Sequence, residues 1–128
     1  MEYVFCKKLT VSFEQAIERV SEELQAEGFG ILTEIDVKAT LKKKMDVDFR
    51  NYRILGACNP GYAHKALLVE PWLGSMLPCN VVVQEFENGQ VEVGAVNPIA
   101  SMLAIKNPAL SEIAQTIQAK LQAVIDRL

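Results

Sequence analysis

The chain has 128 residues and a net charge of −3, with 50% hydrophobic and 23% charged residues. A chain of this size and composition forms one ordinary globular domain that buries about two-thirds of its surface, which excludes disordered, collagen-like and coiled-coil proteins. Because the net charge is negative, no general electrostatic attraction to a nucleic-acid backbone is expected.

The chain opens with a predicted strand and a predicted helix. Residues 2–9 alternate between two faces and are rich in aromatic and β-branched types, which is typical of a strand. Ser12 and Gln15 form a capping-box pattern, apolar residues follow at helical spacing, and Gly28 provides a stop signal. The sequence therefore predicts a helix over 13–27.

Two further strands are predicted next, with a short helical segment between them. Phe29–Val37 returns to strand character, and Lys38–Met45 predicts a helical turn. Asn51–Cys58 is rich in apolar residues and ends at the turn signal Asn59-Pro60, so it is the third predicted strand.

The dipeptide Asn-Pro occurs three times in the second half, each time at a predicted helix start. Asn is a favoured N-cap residue, and Pro is favoured at the first helical position. The predicted helices are a short one over Pro60–Val69, one of about two turns over Pro98–Ile105, and a long C-terminal helix that begins at Pro108.

A β-hairpin completes the predicted elements. Cys79–Glu87 and Gln90–Val96 are strand-like, and Asn88-Gly89 between them fits a two-residue type I′ turn. The order is strand, helix, four strands and helix. It predicts a single α+β domain over residues 1–128, in which two amphipathic helices pack on one face of an antiparallel sheet.

A series of short motifs accompanies these elements. They are Cys58-Asn59-Pro60, Ala63 with Ala66-Leu67, Pro71 with Gly74, and L-P-C-N-V-V-V over 77–83 ahead of the hairpin. This series resembles the family known as domain of unknown function 302, and the similarity covers essentially the whole chain. The resemblance implies a shape related to helix-grip and TATA-box-binding-protein-like (TBP-like) folds, and a homodimer. It implies no established activity, ligand or catalytic residue.

Residues 54–80 have the composition of a pocket wall, because they include the only His, the only Trp and two of the three Cys but only two charged residues. Cys58 ends one predicted strand and Cys79 begins the next. Antiparallel pairing of these strands would place the two thiols side by side, at the two ends of the excursion 59–78. The candidate ligand-binding residues are Cys58, Asn59, His64, Trp72, Cys79 and Asn80.

The cysteine pair has three open interpretations. The thiols can be buried packing residues, which the usual behaviour of cysteine favours. Cys58, Cys79 and His64 can together bind a soft metal such as Zn or Cu(I). The two thiols can also cycle as a redox pair, since Cys58 directly precedes a helix N-cap, where the helix dipole favours the thiolate.

The other candidate residues have expected structural roles. Asn59 is expected to cap the short helix, and Asn80 is expected to brace the mouth of the excursion. Trp72 lies in a tight turn and is expected to cover the excursion or to contact a partner subunit. His64 can face Cys58 or water.

Residues 38–53 hold six of the thirteen basic residues and only two acidic ones, a local net charge of +4. A solvated helix face is the favoured interpretation, and a patch for an anionic ligand or for the acidic face of a second copy is the alternative. The chain has no nucleophile-elbow, Walker A, zinc-protease or dinucleotide-binding motif, which favours a protein that is not an enzyme.

The sequence shows no secretory signal pattern and no apolar stretch of membrane-spanning length, and its cysteine count is odd. These features predict a soluble cytoplasmic protein without nucleic-acid or membrane partners. The favoured function is a homodimeric module that binds a small molecule or a soft metal ion around Cys58–Asn80. The alternative is a thiol-dependent redox protein that uses Cys58 and Cys79.

Overall fold

A five-stranded antiparallel sheet is the central layer of the structure, a computed structural model that describes residues 1–128. The strands lie side by side in the order β1-β5-β4-β3-β2, and every neighbouring pair is antiparallel. Their bounds are β1 Val4–Leu9, β2 Gly30–Asp36, β3 Tyr52–Cys58, β4 Cys79–Glu85 and β5 Val91–Val96. This arrangement confirms the predicted α+β fold.

Two long helices contact the sheet and each other, and a core of 19 buried residues lies between the layers. The long helices are α1 (Phe13–Ala26) and α5 (Ser111–Asp126), and the short ones are α2 (Val37–Met45), α3 (Pro60–Val69) and α4 (Pro98–Ser101). Single 3₁₀ turns occupy Leu73–Met76 and Pro108–Leu110. The predicted pair of amphipathic helices on the sheet is therefore present.

The predicted capping box begins α1. The backbone N–H of Gln15 donates to Ser12 Oγ over 3.2 Å, and the N–H of Ser12 donates to Gln15 Oε1 over 3.1 Å. The helix stops before Gly28, whose φ of 87° suits a residue without a Cβ. Sequence signals alone therefore define both ends of this helix.

The hairpin turn differs from its prediction. Phe86 and Gln90 are hydrogen-bonded across the turn, and the N–H of Gly89 donates to the Phe86 carbonyl, which leaves a three-residue loop over 87–89. A type I′ turn needs a positive φ at both central residues, but only Gly89 has one, at 83°. The two-residue type I′ prediction is wrong, and the turn belongs to the three-residue class in which glycine takes the left-handed position.

Only two of the three Asn-Pro pairs act as predicted caps. Asn97 Oδ1 accepts from the N–H of Ile99, and Asn107 Oδ1 accepts from the N–H of Ala109. The segment at Pro98 is one turn long, and the segment at Pro108 is a 3₁₀ turn that precedes α5. Asn59 makes no capping bond to α3, and its Nδ2 donates to the Glu27 carbonyl at the end of α1 over 3.2 Å.

Candidate functional site

An apolar cavity lies beside the end of β3 and the start of β4, between these strands, α3 and α5. Its volume is about 40 Å³, which is room for a few water-sized groups. Thirteen of its fourteen lining residues are hydrophobic: Phe29, Ala57, Cys58, Tyr62, Ala63, Ala66, Leu73, Leu77, Cys79, Met102, Ile113, Ala114 and Ile117, with Asn59 as the exception. The site is therefore a largely apolar pocket, with Asn59 as the one amide side chain in its wall.

Small side chains on the facing elements leave this space open. Ala63 and Ala66 face it from α3, Ala57 from β3 and Ala114 from α5. Protein interiors are normally packed to crystal density, so side chains that end at Cβ on opposing elements leave a gap unless larger neighbours fill it. The cavity thus follows from the placement of alanines in an otherwise well-filled domain.

The structure brings Cys58 and Cys79 to the same cavity wall. Cys79 pairs with Ala57 across β3 and β4, so it lies one residue along from Cys58. Cys79 is only 8% exposed. This burial and, to a lesser extent, the charge of an ionised Cys58 nearby raise the pKa of the Cys79 thiol to about 11. A thiol held in its protonated form is a poor nucleophile and a poor metal ligand.

Three candidate residues do not reach the cavity. His64 is exposed on α3, Trp72 is 83% exposed, and Asn80 is exposed on β4, where it pairs with Gly56. Asn80 follows Cys79 directly, so its side chain lies on the opposite face of the sheet. The expectations that Trp72 covers the excursion and that Asn80 braces its mouth are therefore wrong.

The proposed three-ligand metal site is not formed. No group of three His, Cys, Asp or Glu side chains lies close enough together to hold a metal ion. The helical period is the physical reason, because α3 turns Ala63 and Ala66 toward the cavity and leaves His64 in solvent. Of the six candidate residues, only Cys58, Asn59 and Cys79 share the site.

The sequence interpretation missed most of the cavity wall. Ile113, Ala114 and Ile117 belong to the apolar stripe of α5, and this pattern identifies core residues without marking which of them border a gap. Tyr62 and Met102 carry no sequence signal of their own. Ala63 and Ala66 in the family motif were the one sequence signal that α3 packs closely against another element.

Two of the six basic side chains in residues 38–53 are paired with carboxylates, and a third stacks on an aromatic ring. Lys42 Nζ lies 2.9 Å from Asp46 Oδ1, and Arg53 Nη1 lies 2.6 Å from Glu34 Oε1. The guanidinium carbon of Arg50 lies 4.5 Å from the centroid of the Phe49 ring. These contacts favour the interpretation of the segment as an ordinary charged surface.

Because the pKa of Cys79 is raised in the folded state, the free energy of unfolding should decrease as the pH rises into the alkaline range. The folded protein keeps the Cys79 proton where the unfolded chain loses it, so this contribution is fully present below pH 9.0 and is lost as pH rises toward about 11. Between about pH 8 and about pH 10.5, we expect the difference in unfolding free energy between wild type and Cys79→Ala to shrink by about 2 kcal/mol. Urea denaturation at the two pH values measures it, and a constant difference would contradict the burial of this thiol.

The fold and cavity define an α+β domain with one small apolar pocket between its sheet and its helices. The chain belongs to the family described as domain of unknown function DUF302, whose model matches residues 5–128. None of its helices has the length and apolar character that crossing a membrane requires.

Two relatives illustrate this membership. The crystal structure of a Bacillus stearothermophilus protein, described as an uncharacterized conserved protein DUF302, has a TM-score of 0.91 and 34% sequence identity, with 99% of this chain and 98% of that chain covered. A curated Aquifex aeolicus (strain VF5) protein, described as uncharacterized, is 33% identical over 48% of this chain and 51% of its own length. The match thus spans about half of the curated relative.

Proposed function

We propose that this protein is a non-enzymatic binding module whose cavity takes up a small apolar molecule or the apolar end of a larger one. The observation that carries the proposal is the lining, which is hydrophobic at thirteen of fourteen positions and contains no charged side chain. An apolar group that enters a dry cavity gains contacts that water does not supply. The buried, protonated Cys79 fits this role as a part of the wall.

Met102 offers a route by which a larger ligand can enter. Met102 and Ala114 line the cavity and also a surface depression of about 190 Å³, in which six of nine lining residues are hydrophobic. Methionine is flexible and adapts to different neighbours, so a change of its rotamer would join the two spaces. This arrangement supports a ligand that extends beyond the cavity into the depression.

Hexan-1-ol is expected to raise the melting temperature of the wild-type protein in proportion to the logarithm of its concentration, because binding to the folded state alone stabilises it. Ala63→Leu fills the cavity from α3 and should abolish this rise. Ala39→Leu makes the same change at an exposed position of α2 and should leave it intact. Thermal scans without alcohol show that each variant folds, and an equal response in both variants would exclude the cavity as the site.

A second candidate function is a thiol-dependent redox protein, and the shared cavity wall of Cys58 and Cys79 is the observation that favours it. Oxidation of the native protein with diamide, followed by peptide mapping, tests this function. A disulfide between Cys58 and Cys79 that glutathione reduces would support a redox cycle. If both thiols remain unmodified until the protein unfolds, the redox function is excluded and the binding module remains as the proposed function.

We further propose that the protein is a homodimer that uses an apolar patch formed by Leu67, Leu68, Val69, Trp72 and Met76. Leu68 is 70% exposed, and the last turn of α3, which carries three of these residues, is apolar on its outer side. A contiguous exposed apolar patch marks a protein contact, and Trp and Met are enriched at protein interfaces. A second copy brings the same patch, which suits a two-fold symmetric contact.

Sedimentation at micromolar concentration tests the assembly. Wild type should sediment at twice the 14.2 kDa of one chain. Leu68→Glu should give the single-chain mass, because it places a charge in the contact, whereas Leu32→Glu changes an equally exposed leucine on β2 and should remain dimeric. A wild-type protein that sediments as one chain would end this proposal.

The proposed compartment is the cytoplasm. All three cysteines, Cys6, Cys58 and Cys79, are free thiols. Free thiols persist in reducing compartments, and secreted domains of this size more often pair them. The negative net charge further supports a protein without a nucleic-acid partner.

A further inference from the structure

Tyr62 forms a boundary between two different environments. Its side chain lines the apolar cavity, and it also lines an open surface groove of about 510 Å³, in which only two of seven lining residues are hydrophobic. A ligand that lies beside Tyr62 can therefore have one end in the cavity and the other in the polar groove.

Two lysines lie near the Tyr62 ring, and one of them, Lys120, also lines the groove. Lys65 Nζ lies 5.5 Å from the ring centroid and Lys120 Nζ lies 6.0 Å from it, the first lysine on α3 and the second on α5. These are cation–π distances, so the ring holds both ammonium groups near the cavity wall. The two helices thus place a pair of positive charges next to an uncharged cavity.

The positive charge at this point is only partly neutralised. Lys65 has no carboxylate within 4 Å, and Lys120 Nζ lies 3.8 Å from Glu27 Oε1. Glu27 is shared, because its Oε2 lies 3.1 Å from Arg127 Nη1. A monoanionic group could therefore pair with Lys65, which has no acidic partner, and with Lys120, whose ion pair is long.

We infer that the ligand of the cavity is a small amphipathic carboxylate, with its aliphatic or aromatic part in the cavity and its carboxylate between Lys65 and Lys120 beside Tyr62. This inference rests on the proposed binding function. A monoanionic carboxylate suits the groove better than a phosphate dianion, because Glu27 and Glu112 also line it and repel additional negative charge.

Hexanoate and hexan-1-ol form a matched pair of probes, since both have six carbons and only the first carries a charge. Calorimetric titration of wild type should show that hexanoate binds about tenfold more tightly than the alcohol. The double variant Lys65→Gln and Lys120→Gln should lose about tenfold in affinity for hexanoate and keep its affinity for hexan-1-ol. Lys43→Gln with Lys44→Gln, which removes two exposed charges from α2, is the control and should match wild type.

The outcomes separate this inference from the proposed function. If hexan-1-ol binds, Ala63→Leu prevents its binding, and hexanoate binds no more tightly than the alcohol, the carboxylate inference is wrong and the binding module stands. Equal loss of hexanoate affinity in the control and in the Lys65 and Lys120 variant would also overturn it. If wild type binds neither probe, the inference and the proposed function fail together.

Discussion

Replacing Gly56 with alanine is expected to lower the free energy of unfolding by about 1–3 kcal/mol, the usual cost of overpacking. A Cβ at this position would lie 2.1 Å from Thr33 Oγ1 and 2.7 Å from Pro78 Cγ. Gly56 pairs with Thr33 on β2, and Pro78 directly precedes β4, so the substitution pushes on both neighbours of β3. The Thr33 hydroxyl can rotate away, but the proline ring cannot, and urea denaturation measures the resulting loss.

Gly30→Ala is the matched control, because a Cβ on this β2 residue meets nothing within 4 Å. Alanine there should leave stability unchanged or raise it by up to about 1 kcal/mol, since it restricts the unfolded chain. If both variants lose stability equally, the close approach of Thr33 and Pro78 to Gly56 does not explain the effect.

Leu73→Ala should destabilise the protein by about 2–5 kcal/mol and at the same time strengthen its response to an apolar ligand. Leu73 is fully buried, packs with Ala66 and Leu110 in a second small core, and lines the cavity. Its truncation removes contacts and enlarges the cavity, so hexan-1-ol should recover part of the lost stability. Urea denaturation with and without the alcohol measures both effects.

Leu32→Ala provides the comparison, because Leu32 is 68% exposed on β2. This variant should stay within about 0.5 kcal/mol of wild type and respond to hexan-1-ol as wild type does. A Leu73→Ala protein that loses stability but gains no response to the alcohol would show that the enlarged space does not accept apolar groups.

Local signals predicted the elements well where the local and tertiary interactions agree. The capping box at Ser12 and the stop at Gly28 set α1, and α3 has the predicted bounds Pro60–Val69. The β4–β5 hairpin also followed from strand character and the Asn-Gly signal between the strands. These features depend on neighbours in sequence, which a single chain displays directly.

Tertiary contacts explain where prediction failed. Asn59 has the sequence of an N-cap, but its side chain bonds to the carbonyl of Glu27, 32 residues away, and no local pattern reveals that partner. Asn88 stays at negative φ, although Asn-Gly favours a type I′ turn. At Asn59 a distant carbonyl is the partner, and at Asn88 the side-chain Oδ1 accepts from the N–H of Gln90 within the turn.

Only three of the six candidate residues line the cavity, because the others depend on how helices and turns pack in the tertiary structure. Strand order predicted that Cys58 and Cys79 lie at the same end of β3 and β4, and both residues line one cavity. The position of His64 depends on how α3 is rotated against α5, and that rotation is set by packing of Ala63, Ala66 and their neighbours. Rare residue types drew attention to the segment, whereas common alanines and isoleucines build its pocket.

The most direct test of the binding module is a methyl NMR titration of wild-type protein with hexan-1-ol. We expect saturable shifts for the methyl groups of Met102, Ile113 and Ile117, which line the cavity, and unchanged signals for Val91 at the far end of β5. Saturable shifts confined to other parts of the chain, or none at any concentration that keeps the protein folded, would contradict it.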